Sequence, residues 1–160
     1  KRCKGFNEKI LKLRGKRKDI YPVTMEYKAG YGHGGLPDRD KIKSMYPAVR
    51  DPVPAELTWE MTDAVVKDFF WLSTPEASRG RELNATCAEN KLVITTRDIR
   101  NFSVLLDERL VDFSKPVSIE LNGRKLSGKK LKPSLKTLLE TLSSRGDIRL
   151  AATVAWSPGS

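Results

Sequence analysis

Histidine is nearly absent from this chain. Among 160 residues there is one, His33, and there are only two cysteines, Cys3 and Cys87. That scarcity excludes a structural zinc site, which draws its ligands from several closely spaced Cys and His, and it excludes a disulfide framework. Cys87 shares one face of an alternating stretch with Leu83 and Ala85, which predicts a buried thiol. No apolar run approaches the roughly 18 residues of a membrane span. The opening KRCKGFNEK has no apolar segment of the kind a secretion signal carries. Acidic residues are also short, 20 against 30 Lys and Arg, for a net charge of +10.

The excess charge is clustered. Residues 1–18 hold nine Lys or Arg and one acid, Glu8, and residues 124–136 hold six basic residues and no acid. Such clusters are compatible with phosphate binding. Neither carries the run of interleaved aromatics that a base-stacking platform needs, which argues against a nucleic-acid partner. The amphipathic stretch FNEKILKL, residues 6–13, is too short to anchor the chain on a membrane. Asp107, Glu108 and Asp112 do not have EF-hand spacing, so no metal site and no cofactor is expected.

What is present is the composition of a folded protein: 39% hydrophobic and 31% charged residues, with no internal repeat. Pro47, Pro52 and Pro54 interrupt the chain within eight residues. Proline removes a backbone donor and restricts the residue before it. Two parts are therefore expected, residues 1–50 and 53–160. In the first, NEKILKLRG predicts a helix ending near Gly15, and Val23, Met25 and Tyr27 alternate with polar residues as in a strand. A glycine loop follows, then a helix with Asp38 as its N-cap. Helix, strand, loop and helix form part of an α/β layer, and one strand alone is not a domain.

The second part changes period. Leu57, Trp59 and Met61 alternate with Thr58, Glu60 and Thr62, and further strands are expected in AVVKDFFWLS, RELNATCA, NKLVITT, DIRNFSVLLDE and DIRLAATVAW. Asn122-Gly123, inside IELNGRKL, is a strong hairpin signal because both residues tolerate positive φ. One helix interrupts, PSLKTLLETLSSRG, with Ser134 as N-cap, Gly146 as stop, and Leu135, Leu138, Leu139 and Leu142 as the expected buried stripe. The last run places Ile148, Leu150, Ala152, Val154 and Trp156 on one strand face. The fold class expected is α+β: a partial α/β layer of helix, strand, loop and helix, followed by a mainly antiparallel β-sandwich carrying one helix.

The lone histidine sits in YKAGYGHGGLPD, residues 27–38, among four glycines. Gly30, Gly32 and Gly35 match a dinucleotide-binding fingerprint, but Leu36-Pro37 follows where a helix should open onto the pyrophosphate. His33-Gly34-Gly35 could also form an oxyanion turn, which requires a downstream G-x-S-x-G. The nearest approach is AWSPG at residues 155–159, where alanine replaces the first glycine. A third reading makes His33 a general base on a loop after a strand.

A resemblance favours the third. Residues 7–35, the stretch with Arg50, Pro52, Pro54 and Trp59, the run Phe69-Phe70-Trp71-Leu72, and the pattern through Leu105, Asp107, Val111, Asp112, Lys115, Pro116, Val117, Asn122 and Gly123 together resemble the C-terminal portion of α/β-hydrolase-fold esterases of the dienelactone-hydrolase and polyhydroxybutyrate-depolymerase-like type. The resemblance implies that residues 1–50 close a hydrolase domain, with His33 as the triad histidine, and that residues 53–160 are an accessory sandwich. The family's serine and aspartate map to nothing in this chain. The implied parent is a serine hydrolase acting on an ester or peptide-like substrate, exported from the cell, with its remaining hydrolase segment upstream of Lys1. This chain alone is then expected to be inactive. The alternative is a non-catalytic binding module for a carbohydrate, a protein or a polyanion, and a homo-oligomer is compatible with either. Trp59, Phe69, Phe70, Trp71 and Trp156 would be the sugar platform of such a module, or else its core. Asn84-Ala85-Thr86 and Asn101-Phe102-Ser103 are glycosylation sequons.

Overall fold

The computed structural model describes residues 2–16, 25–31, 34–35 and 38–159. They fall into two compact units, Lys1–Val49 and Arg50–Ser160. Together they carry three α-helices and two mostly antiparallel sheets, an α+β arrangement with no closed barrel among the described residues. No described helix is long and apolar enough to cross a membrane.

The first unit contains helix α1, Arg2–Arg14, and helix α2, Arg39–Met45. Gly15 ends α1 at φ 55°, its N–H donating to the Leu11 carbonyl at 3.1 Å, so the expected stop is the observed one. The strand expected over residues 23–29 does not form at its described positions. Residues 25–28 are irregular and residues 29–30 are a turn. Alternation specifies a strand only where a neighbour supplies the ladder, and the described residues of this unit include no other strand. Asp38 stands at the N-cap of α2, but its side chain makes no capping hydrogen bond.

The second unit is built on two sheets. One has the order β1-β4-β5-β7-β8, from Glu56–Glu60, Glu82–Ala88, Lys91–Arg97, Val117–Leu121 and Arg124–Lys129. The other has the order β2-β3-β6-β9, from Asp68–Phe69, Leu72–Ser73, Ser103–Leu106 and Val154–Trp156. Period-two alternation turns one face of β1 and β4 inward, β6 is buried at three consecutive positions, and both sheets feed a single apolar cluster. Its fully buried members include Leu72, Leu83, Leu92, Ile94, Leu106 and Ile119. The chain leaves the first sheet after β5, runs through β6 in the second, and returns to lay β7 parallel to β5, the one parallel pairing.

Turn chemistry sets the hairpins. Glu89 and Asn90 between β4 and β5, and Asn122 and Gly123 between β7 and β8, all have positive φ, the two-residue geometry that matches strand twist. AVVKDFFWLS is not one strand. It folds as the short β2–β3 hairpin, with Phe70 at φ 51° in the turn. The last run also departs from expectation. Ile148–Leu150 form a 3-10 helix initiated by Asp147, whose side chain accepts from Arg149 N–H, and only Val154–Trp156 pair as β9.

Helix α3, Leu135–Arg145, is capped as its sequence predicts: Ser134 Oγ accepts from Thr137 N–H, and Gly146 closes the helix at φ 62°. The face it buries is a different one. Leu135 and Leu139 are exposed, Leu138 and Leu142 are half-buried, and the buried residue is Thr141. The Thr141 hydroxyl accepts from Ala152 N–H at 3.0 Å and is within donating reach of the Ala152 carbonyl at 3.1 Å. At the helix end the largely buried Arg145 side chain donates to the carbonyls of Phe70 and Leu72 and pairs with Asp68 at 2.9 Å. Leaving these buried groups unpaired would cost about 1–3 kcal/mol each. Thr141→Val keeps the shape and removes the hydroxyl, so it should lower the unfolding free energy by about 1–3 kcal/mol. Leu135→Ala should stay within about 0.5 kcal/mol. Urea denaturation of the two variants checks both.

Candidate functional site

His33, the one catalytic candidate, lies outside the described residues, as does Gly32. Around it, Gly30 and Gly35 have φ 85° and 77°, backbone that favours glycine. Helix α2 begins at Arg39, and the described residues of the glycine motif, 30–31 and 34–35, are not helical. The local charge is organised by Glu26, which meets Lys41 at 2.6 Å and Lys28 at 3.4 Å. These two ammonium groups, Lys41 first, hold the Glu26 carboxyl below its ordinary pKa. Lys4 stacks its ammonium over the Tyr27 ring at 4.2 Å. None of these is a nucleophile–base pair. No described residue of the first unit is buried, and Phe6, Tyr27, Ile42, Met45, Tyr46 and Val49 are all exposed.

The second unit contains no histidine, so it can form no Ser–His or Cys–His couple. Its thiol is disarmed. Cys87 is buried beside the Leu110 carbonyl, to which its S–H donates at 3.4 Å, and burial pushes its pKa up to about 11. The folded state therefore favours the neutral thiol, a preference fully present below the ordinary thiol pKa and lost as pH rises through 11.

The five aromatic residues that would make a sugar platform lie in or against the core instead. Trp59, Trp71 and Trp156 are buried, Trp59 stacks on Phe69 at 5.6 Å, and Phe102 meets Trp156 edge-on at 6.2 Å. Phe69 and Phe70 are half-buried against the same core. Trp71 Nε1–H donates to the Pro54 carbonyl at 2.8 Å, which ties the proline-rich entry to the β2–β3 hairpin. Asp107 and Asp112 are likewise engaged. Asp107 pairs with the Arg109 guanidinium, which also donates to the Arg149 carbonyl. Asp112 accepts from the Ser114 hydroxyl and N–H and pairs with Lys115, which together hold its carboxyl near pKa 2. The described residues include no cluster of three His, Cys, Asp or Glu fit for a metal. Asn84 and Asn101, the sequon asparagines, donate to Glu82 at 2.7 Å and Glu76 at 2.5 Å.

Two depressions lie on the second unit. A polar depression of about 190 Å³ is lined by Arg100, Asn101, Ser103 and Ser157, with the two serine hydroxyls 3.0 Å apart. A more apolar groove of about 360 Å³ runs beside α3. Leucine spacing located that helix but assigned its apolar stripe to the interior, so the sequence did not disclose the groove. No family model, curated protein or solved structure matches the chain.

Two measurements follow from the site chemistry. At pH 8 a disulfide reagent should modify the exposed Cys3 quickly and leave Cys87 unmodified until urea is added. Asp112 has a lowered pKa, so its contribution to stability is present above its ordinary value of 3.8 and lost as pH falls through about 2. Over pH 5 to 2 the urea midpoint of Asp112→Asn should therefore fall less than that of the parent chain.

Proposed function

We propose that the chain is the C-terminal part of a serine hydrolase and that Arg50–Ser160 is its non-catalytic accessory domain. The observation that carries the proposal is the contrast between the two units. The second encloses an apolar core, whereas most of the described large apolar residues of the first are exposed, Tyr46 at 80% and Phe6 at 60%. A segment that leaves so much apolar surface in water is completed by further polypeptide. The resemblance names that polypeptide as the remainder of a hydrolase domain. The run from Leu105 to Gly123 that carries much of the resemblance extends from the end of β6 through β7 to the β7–β8 turn.

In this reading a serine of the upstream segment attacks an ester or amide carbonyl. His33 takes the serine proton and returns it to the leaving group, oriented by an upstream aspartate. The second unit adds no catalytic group, consistent with its lack of histidine and its protonated thiol.

A binding role for the accessory domain is favoured by one feature, the basic residues Arg124, Lys125, Lys130 and Lys132 on and after the edge strand β8. A plainer account serves as well, because charge on an edge strand blocks pairing with other chains.

Hydrolysis of p-nitrophenyl butyrate tests the proposal. Residues 1–160 alone should show no turnover. Joined to the segment encoded upstream, the protein should hydrolyse the ester, and His33→Ala should reduce kcat by about 10³-fold or more. Turnover by residues 1–160 alone, or a joined protein indifferent to His33→Ala, overturns it.

A further inference from the structure

We propose that Asn122 is the chain's site of spontaneous deamidation and that Thr96 gates it, so that the side chain is modified only when the β7–β8 turn parts from β5. Every group involved belongs to the Arg50–Ser160 unit, independent of the hydrolase reading.

Sequence selects the residue. Five asparagines are present, and they precede Glu8, Ala85, Lys91, Phe102 and Gly123. Deamidation begins when the backbone nitrogen of the following residue, its proton lost to hydroxide, attacks the asparagine Cγ. A side chain on that residue crowds the approach, and glycine has none. Beyond its chain neighbours, no atom stands within 4 Å of the place a Cβ would take at Gly123, so the turn is open there. The new bond from Cγ to the Gly123 nitrogen forms as the Cγ–Nδ2 bond breaks and ammonia leaves. Water then opens the resulting succinimide at either carbonyl, giving aspartate or isoaspartate at position 122. One water enters, one ammonia departs, and nothing is oxidised or reduced.

Structure supplies the gate. Asn122 N–H donates to the Ile94 carbonyl at 2.9 Å. Were β7 to run on, the next rung of the parallel ladder would join Thr96 N–H to the Asn122 carbonyl. The chain instead turns into β8, with Asn122 at φ 50° and Gly123 at φ 78°. The side-chain Oδ1 takes the carbonyl's place and accepts from Thr96 N–H at 2.8 Å, while Nδ2 donates to Thr96 Oγ1 at 3.1 Å. Both polar atoms of the carboxamide are thereby held against β5. Closing a five-membered ring demands another side-chain torsion and a backbone far from the left-handed turn, so both contacts must break first.

The change is one-way and loosens the edge strand. Aspartate at 122 keeps an acceptor for Thr96 N–H but has no Nδ2–H for the Thr96 hydroxyl. Isoaspartate puts an extra methylene into the main chain of a two-residue turn, which the pairing of Leu121 with Arg124 cannot accommodate.

Peptide mass spectrometry of residues 1–160 held at pH 8 is the test, read as conversion of each asparagine to acid over time. Asn122 should convert before the other four, and at least about tenfold more slowly in the native chain than in urea beyond the unfolding midpoint. Thr96→Val should raise the native rate by about two- to tenfold, the range that one lost hydrogen bond gives. Thr96→Ser, which keeps the hydroxyl, should keep the parent rate. Thr141→Val weakens a contact of α3 and should leave the Asn122 rate unchanged. Earlier conversion at another asparagine overturns the proposal, as does a native rate equal to that in urea. So does a Thr96→Val variant that converts no faster than Thr96→Ser, or a Thr141→Val effect as large as that of Thr96→Val, which would assign the reaction to global unfolding.

Discussion

The orientation of α3 rests on hydrogen bonds, and the leucines of the helix adapt to it. Thr141 closes a reciprocal contact with the backbone of Ala152, and Arg145 gathers the carbonyls of the β2–β3 hairpin together with Asp68. Ser134, one residue before the helix, donates its own N–H to the Thr153 carbonyl at 2.8 Å while its hydroxyl caps the first turn. These contacts fix the start and the middle of the helix to the segment that becomes β9, and its end to the β2–β3 hairpin. Rotating the helix to bury Leu135 and Leu139 would recover about 1.5–3 kcal/mol per leucine. It would also strand a guanidinium and several backbone groups away from water, at about 1–3 kcal/mol each and more for the charge. With several such groups at stake against two leucines, the polar anchor wins and the apolar stripe faces outward.

The same balance divides the chain into two kinds of polypeptide. Arg50–Ser160 is built round a core: two sheets share one apolar cluster, turns have the residues their geometry requires, and Asp107 and Asp112 have partners in place. Asn90 shows how closely the parts are fastened. In a left-handed turn between β4 and β5, its amide donates to the Asp112 and Pro116 carbonyls and its side-chain oxygen accepts from Asp112 N–H, pinning the approach to β7. Lys1–Val49 has helices and surface ion pairs but no buried residue among those described. Chemistry follows that division. The second unit has no histidine and keeps its thiol protonated, and the only histidine belongs to the unit in which no described residue is buried.

Much of the fold was legible because local rules and tertiary packing agree. Alternation located β1, β4, β5 and β7, Asn122-Gly123 located a hairpin, and Ser134 and Gly146 bounded α3. The failures are places where a local pattern lacked its tertiary partner. Residues 25–28 alternate like a strand, but the described residues of their unit include no strand to pair with. Ile148 and Leu150 alternate with polar residues, yet Asp147 caps a helical turn there and the strand begins only at Val154. The aromatic run Phe69-Phe70-Trp71 gave no hint that a two-residue-strand hairpin would place Phe70 at positive φ beneath Arg145. Of the site, the sequence singled out His33 through its rarity and its glycines. The resemblance, not the spacing, assigned it a role.

By itself, then, the sequence determined the periodicities, the turns, the helix caps, the buried character of Cys87 and the confinement of histidine to the first 49 residues. Each is a property of neighbouring residues or of composition. The tertiary structure alone decided which face of α3 meets water and that β7 returns parallel to β5, because both depend on groups far apart in the chain. Thr141 finds Ala152 and Arg145 finds Phe70 only once two sheets have closed on one core, and no spacing along the helix encodes that meeting.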